Sequence, residues 1–218
     1  MRPWWRYLSL LAITCIAAGL SLLTWTAYQV WDPGAAREQG KLATQLQRQW
    51  RQQSTAAAHT YQPIALVTGK PFAFLRIPAL GRHWRFAIVE GASLAQLSDG
   101  PGHVPGTQLP GKPGNFAVAA HDITAGNPFL HLASLRSGDA IYVTTVNGTY
   151  RYSVSSESVV RYTDVAVLDP VPGHPGQHAR HQSITLITCT PVTLNFTPWR
   201  VIVTGTLVSA PAGGEPLP

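Results

Sequence analysis

The 218-residue sequence predicts an all-β fold, a closed or nearly closed barrel of short strands with short helical turns, preceded by a transmembrane helix and a stalk. Three observations carry this. From Phe72 onward the chain breaks into seven or eight short apolar runs separated by turn signals, with little helical periodicity. Asn147-Gly148 sits between two alternating runs, the strongest short hairpin signal a sequence offers. Residues 7–31 carry no charge, a run of about 25 residues where ~20 suffice to cross a bilayer. Closing the strands into a barrel removes the exposed edges that an open sheet would leave.

The apolar run comes first. Trp4, Trp5 and Tyr7 flank one end and Trp25, Tyr28 and Trp31 the other, as interfacial aromatic belts do. Arg2 and Arg6 precede it and Asp32 follows, so the positive-inside rule puts residues 1–6 in the cytoplasm and everything after the span outside the cell. The run is longer than the ~7–15 residues of a signal-peptide core, and no small-x-small cleavage site follows it. A retained single-pass anchor is the expectation. Residues 32–62 form the expected stalk or linker. Their 35–59 stretch is rich in Gln, Arg and Ala, with Leu42, Leu46 and Trp50 at helical spacing. One face of that stretch is free to pack on the domain or on the membrane, and Arg37, Lys41, Arg48 and Arg51 suit either anionic headgroups or plain solvation.

Pro63 opens the expected barrel, residues 63–209. Runs 72–80 and 83–90, split by Gly81-Arg82, read as a hairpin. Residues 99–115 are dense in Gly and Pro and read as loop; 116–120 is a small strand ending at His121. Residues 128–135 read as a helical turn, 140–146 and 149–154 as a hairpin, and 165–171 as a short strand. A His/Gly/Pro loop leads to strand 184–189, and 199–208 is the last strand. Residues 210–218 are expected to be a disordered tail.

The chemistry concentrates at strand ends. Cys189 ends a β-branched core run stopped by Pro191, held rigidly yet next to a loop. Such a thiol is either a small buried hydrophobe or an activated nucleophile. Cys15 lies in the apolar run, so no disulfide between these two cysteines is expected and Cys189 reads as a free thiol. About ten residues separate Cys189 from Arg200; if the last two strands pair antiparallel, both side chains share one end and one face of the barrel. A charge opening the apolar strand Val201-Ile202-Val203 needs either a salt-bridge partner or a task. His121 ends its own strand after Phe-Ala-Val-Ala-Ala, small residues that permit close approach. Together the three supply nucleophile, acid/base and anion stabiliser.

Thr-Leu-Ile-Thr-Cys189 resembles the sortase signature strand, with Arg downstream and His upstream. Gly100-Pro-Gly-His103-x-Pro105-Gly-Thr107, Leu109-Pro110-Gly111, Gly114-Asn115-Phe116-x-Val118-Ala119, Gly138-Asp139, Val167-Leu168-x-Pro170 and Thr188-Cys189-Thr190-Pro191 look like class E sortases of actinobacteria. The resemblance implies an eight-stranded barrel and cysteine transpeptidation without metal or cofactor. Cys189 would attack the Thr–Gly carbonyl of a C-terminal LAXTG- or LPXTG-type sorting motif on a secreted protein, the class pointing first to LAXTG. A thioacyl-enzyme would form, and an amine of a peptidoglycan precursor of the lipid II type would resolve it. His121 would be the acid and base, and Arg200 would hold the substrate backbone and the oxyanion. Val104, Asp122, Thr188 and Thr190 are assigned to the substrate groove. Two positions depart from the family: Ala120-His121-Asp122 stands where relatives have Gly-His-Arg, and Val104 where they often carry an aromatic. Asp122 could form an ion pair with His121 or face solvent, and solvent is the expectation.

Other classes fit less well. The net charge of +6 is scattered, with no Lys/Arg block and no stacking-aromatic motif, which argues against a nucleic-acid partner and for an anionic membrane or wall neighbourhood. His174, His178 and His181 share one loop at metal-compatible spacing but lack an adjacent carboxylate or thiol. An L,D-transpeptidase would carry Ser-His-Gly-Cys where Leu186-Ile187-Thr188 stands. The remaining alternative is a catalytically degenerate, extracellular sortase-like binding protein.

Overall fold

The computed structural model describes residues 4–30, 33–54, 62–191 and 196–211. Segment 1–3, residues 55–61 of the expected stalk and residues 212–218 of the expected tail lie outside the described residues. Two helices come first, α1 (Trp5–Val30) and α2 (Pro33–Ser54). Within α1, Tyr7–Thr26 is long and apolar enough to cross a membrane, and none of it is buried.

Eight strands follow: β1 (Pro71–Arg76), β2 (Arg85–Glu90), β3 (Gly102–His103), β4 (Gly114–Ala119), β5 (Ala140–Thr145), β6 (Gly148–Arg161), β7 (Gln182–Thr190) and β8 (Trp199–Ser209). They close into a barrel in the order β1-β2-β3-β4-β7-β8-β6-β5. The pairs β2/β3 and β4/β7 are parallel. The pleat turns Phe116 and Val118 of β4, Ile184 and Leu186 of β7, and Val201 and Val203 of β8 into one core with Ile141, Val143 and Tyr152. Fully burying side chains of this size is worth ~1.5–3 kcal/mol each, so the interior alternation fixes the register of every strand around it.

Both predicted hairpins form, β1/β2 and β5/β6. Three expectations change. Residues 165–171 are not a strand: Val165–Leu168 is a 3-10 turn. Every barrel strand already has two neighbours, so this run has no ladder to join and satisfies its backbone locally. The expected loop 99–115 contains β3, two residues that bridge β2 to β4 and complete the closure. Only glycine fits at its first position, because a Cβ on Gly102 would lie 2.2 Å from the Gly91 carbonyl oxygen. Lastly, strand β1 stops at Arg76, and Pro78–Leu80 forms a 3-10 turn where the sequence reads as strand.

The stretch expected as a stalk carries α2, and α2 is packed on the barrel. Leu42 and Leu46 are buried against Phe74, Ala87 and Val89, and Trp50 meets the Phe74 ring edge-on at 5.4 Å. Gln39, also buried, accepts from the Ala87 amide at 2.7 Å and donates to the Ala87 carbonyl at 3.4 Å.

Candidate active site

The candidate site lies on the outer face of β4, β7 and β8, at one end of the barrel. Cys189 and Arg200 are direct partners across the antiparallel β7/β8 ladder. Directly opposed residues project to the same face with Cβ atoms ~5 Å apart. Ile184 and Leu186 face the core, so by alternation Thr185, Ile187 and Cys189 face outward, as do Arg200 and Ile202. Strand β4 runs parallel to β7 with Ala119 beside Ile187. Two residues further along each strand are His121 and Cys189, so the same register carries His121 to the level of the thiol. The turn after His121 is held by its carbonyl, which accepts from the Phe129 amide at 3.0 Å. The sheet therefore brings all three predicted residues to one end, on one face.

Arg200 is oriented by its own strand entry. Its Nη1 donates to the carbonyls of Thr197 (2.7 Å) and Trp199 (2.8 Å). Among the described residues Nε and Nη2 make no hydrogen bond, and no carboxylate pairs with the guanidinium. The salt-bridge alternative for Arg200 therefore finds no partner there. Burial pushes the Cys189 thiol up from its ordinary value; the Arg200 charge opposes this and Asp122 adds to it. Burial likewise pushes the His121 imidazole down, against the pull of the Asp122 carboxylate. Both shifts favour the uncharged forms, thiol and imidazole, over the ion pair.

The groove residues assigned from sequence fare unevenly. Asp122 does not face solvent: it is 4% exposed, because the step past His121 turns the chain inward at the barrel end. Its Oδ1 accepts from the Ile123 amide at 2.9 Å, and its Oδ2 has no hydrogen-bond partner among the described residues. Thr188 points inward, and its hydroxyl donates to the Ala120 carbonyl at 2.9 Å, tying β7 to the end of β4. The Thr190 carbonyl accepts from the Thr197 hydroxyl, which ties the two ends of the β7–β8 connection together. Val104 donates its amide to Ala117 at 2.9 Å, four residues back from His121 along β4, roughly 13 Å from that level. The motif around it is largely structural. His103 Nδ1 sits 2.6 Å from Glu90 Oε2 and its Nε2 3.0 Å from Thr107 Oγ1, all inside the barrel wall.

The structure adds an aromatic pair that sequence reasoning did not assemble. Tyr162 and Phe196 meet edge-to-face at 5.6 Å, and the Arg200 guanidinium lies 6.0 Å from the Tyr162 ring; Trp199, 40% exposed, alternates to the other face, where the Arg161 guanidinium lies 5.4 Å from its ring. Neither carried a local signal in the sequence, because Tyr162 and Phe196 arrive from separate connections. The histidine loop 174–181 is exposed, and no group of three or more potential metal ligands forms among the described residues.

A thiol, an imidazole and a free-ended arginine at one rim of this barrel define a class. The chain belongs to the sortase family, a sortase domain being matched over residues 75–208. Its similarity is to class E members: it is 34% identical to Sortase SrtE1 of Streptomyces coelicolor over 204 residues, covering 88% of this chain and 55% of that protein. This chain thus spans about half the length of that relative. The structure of sortase E from Streptomyces avermitilis superposes with a TM-score of 0.59 at 37% identity, covering 69% of this chain and 97% of its own. Sortase E1 from Streptomyces coelicolor, solved with a tripeptide in the active site, gives 0.59 at 36% identity over 70% of this chain and 98% of its own. Sortases are cysteine transpeptidases.

Proposed function

We propose that this protein is a membrane-anchored sortase that cuts a C-terminal sorting motif between Thr and Gly and joins the new carboxyl end to an amine. The observation that carries the reading is the β7/β8 register, which sets Cys189 directly opposite Arg200, with His121 brought level from β4.

The chemistry follows from these groups. The Cys189 proton passes to His121, and the thiolate attacks the threonine carbonyl carbon. The carbonyl oxygen becomes an oxyanion, and the Arg200 Nε and Nη2 donors answer it; removing such a donor typically costs 10²–10³-fold in turnover. The imidazolium of His121 gives its proton to the departing glycine amine, and the C–N bond breaks to leave a thioester. An incoming amine loses a proton to His121 as it attacks, and the thiolate leaves and takes that proton back from the imidazolium. Protons balance over the cycle, and the enzyme returns as thiol and imidazole. The tripeptide held by the Streptomyces coelicolor relative supports a peptide substrate at this rim. The aromatic pair of Tyr162 and Phe196 offers apolar area for its side chains.

The substrate is a secreted protein with an LAXTG- or LPXTG-type motif, and the acceptor is an amine of a lipid II-type peptidoglycan precursor. Tyr7–Thr26 supports anchoring, and the flanking charges support a cytoplasmic N-terminus with the barrel outside. Residues 32–62 link the anchor to the barrel of residues 63–209, with α2 lying against it. The test is a transfer assay: protein, LAXTG or LPXTG peptide, and a diaminopimelate-type or glycine amine, with products weighed by mass spectrometry. Ligated product from either peptide supports the reading. Intact peptide in both, from folded protein whose thiol titrates, contradicts it.

A further inference from the structure

Helix α2 carries four bases, Arg37, Lys41, Arg48 and Arg51, and one acid, Glu38. Its two faces are used differently. Ala35, Gln39, Leu42 and Leu46 are buried on the barrel. At about 100° per residue, Arg37, Lys41 and Arg48 fall within about 40° of one another, on the side roughly opposite that buried face. All three are exposed. Lys41 bonds Glu38 at 2.7 Å, while Arg37 and Arg48 have no side-chain partner among the described residues. The stripe cannot turn away from its direction without pulling Leu42, Leu46 and Gln39 off the barrel.

Where the stripe sits in the chain matters as much as its charge. Only residues 31 and 32 separate α1 from α2, a gap that extended chain spans in roughly 10 Å. The same end of α2 lies at the Cys189 end of the barrel. A Cβ on Gly126, in the loop that follows His121, would meet the Ala35 Cβ at 3.5 Å and the Phe86 ring at 3.7 Å. The other end of α2, with Trp50 and Gln53, lines a groove with Pro71, Phe72 and Val146 at the far end.

We infer that the Arg37–Lys41–Arg48 face of α2 lies on an anionic phospholipid surface, so that the helix seats the barrel on the bilayer with its Cys189 end beside the anchor. The inference rests on reading α1 as a membrane anchor. Charge complementarity and the tether select this occupant together: three cations line one helix face, and the surface to which α1 leads within a few residues is the bilayer. A sorting-motif protein and a lipid-linked amine would both reach the site from that surface.

The test uses residues 33–218, because no residue of Tyr7–Thr26 is buried and neither buried core cluster draws on a residue before α2. Sedimentation with vesicles of phosphatidylcholine alone, or mixed with phosphatidylglycerol, reads the partition coefficient. Binding to the anionic vesicles only, weakening as salt rises, is expected. The Arg37→Gln/Lys41→Gln/Arg48→Gln triple variant should bind on the order of 100-fold more weakly. The charge-matched Arg82→Gln/Arg136→Gln/Arg180→Gln variant, altered at exposed sites elsewhere, should keep most of its binding. Equal binding by the stripe variant and the parent, or equal loss in both triples, would overturn the inference. Carbonate extraction of the full chain carrying the stripe substitutions reports on α1 separately, so failure of the anchor and failure of the stripe give different results.

Discussion

Cys189 and Arg200 face each other across one rung of the β7/β8 ladder. Their spacing is therefore set by the sheet and not by the loop between them, and the guanidinium is braced by two carbonyls of its own turn. Lysine at that position keeps the charge but loses the planar fork. Arg200→Lys should cut kcat by ~10²-fold or more with the barrel intact, since the donors answer charge that develops only in the transition state. Near-parent turnover would place oxyanion stabilisation elsewhere.

The directions of the two site pKa values give a second expectation. Attack needs thiolate beside imidazolium, whereas His121 lies below its ordinary 6.5 and Cys189 above its ordinary 9.0. Between those two values the reactive ion pair is a minor tautomer whose share does not change with pH. The kcat/KM profile should thus be flat across neutrality, with its acid limb below pH 6.5 and its basic limb above pH 9. A narrow bell centred between 6.5 and 9.0 would reverse the assignment.

Asp122 pulls both groups the same way, raising the imidazole and the thiol. Replacing its charge while keeping its shape, Asp122→Asn, should move both limbs of that profile to lower pH. An unmoved profile would mean that the Asp122 charge does not reach the pair.

The docking of α2 predicts a stability effect. Leu46 is 1% exposed between helix and barrel. Leu46→Ala should therefore lower global stability by ~2–5 kcal/mol, the usual cost of a buried leucine truncation. Denaturant unfolding followed by tryptophan emission measures this; an unchanged midpoint would mean that α2 detaches freely.

The barrel was legible in the sequence because its interior alternates. Phe116, Val118, Ile184, Leu186, Val201 and Val203 mark every second residue of adjacent strands, and Asn147-Gly148 fixes one hairpin. Strand β3 was not legible: two residues inside a Gly/Pro-dense run have no periodicity, and they pair only because β2 and β4 leave a gap to be closed. Residues 165–171 failed for the converse reason, since a β-branched run makes a strand only where an edge is free. At the site, Cys189, His121 and Arg200 could be read as strand ends. The burial of Asp122 could not, because it depends on how the chain turns after β4, and the aromatic pair joins the β6–β7 and β7–β8 connections, which are remote in sequence. Leu42, Leu46 and Trp50 announced an apolar helix face, but only the structure shows that β1 and β2 receive it.

The central claim is that Cys189 takes up the acyl part of a sorting motif. Intact-mass measurement of the protein mixed with an LAXTG or LPXTG peptide, without added amine, tests it most directly. The mass should rise by the peptide through its threonine, less water, with the glycine-side fragment released. Hydroxylamine should remove the adduct as a thioester, and Cys189→Ala should show none. An unmodified parent, or an adduct that persists in Cys189→Ala, would contradict the assignment.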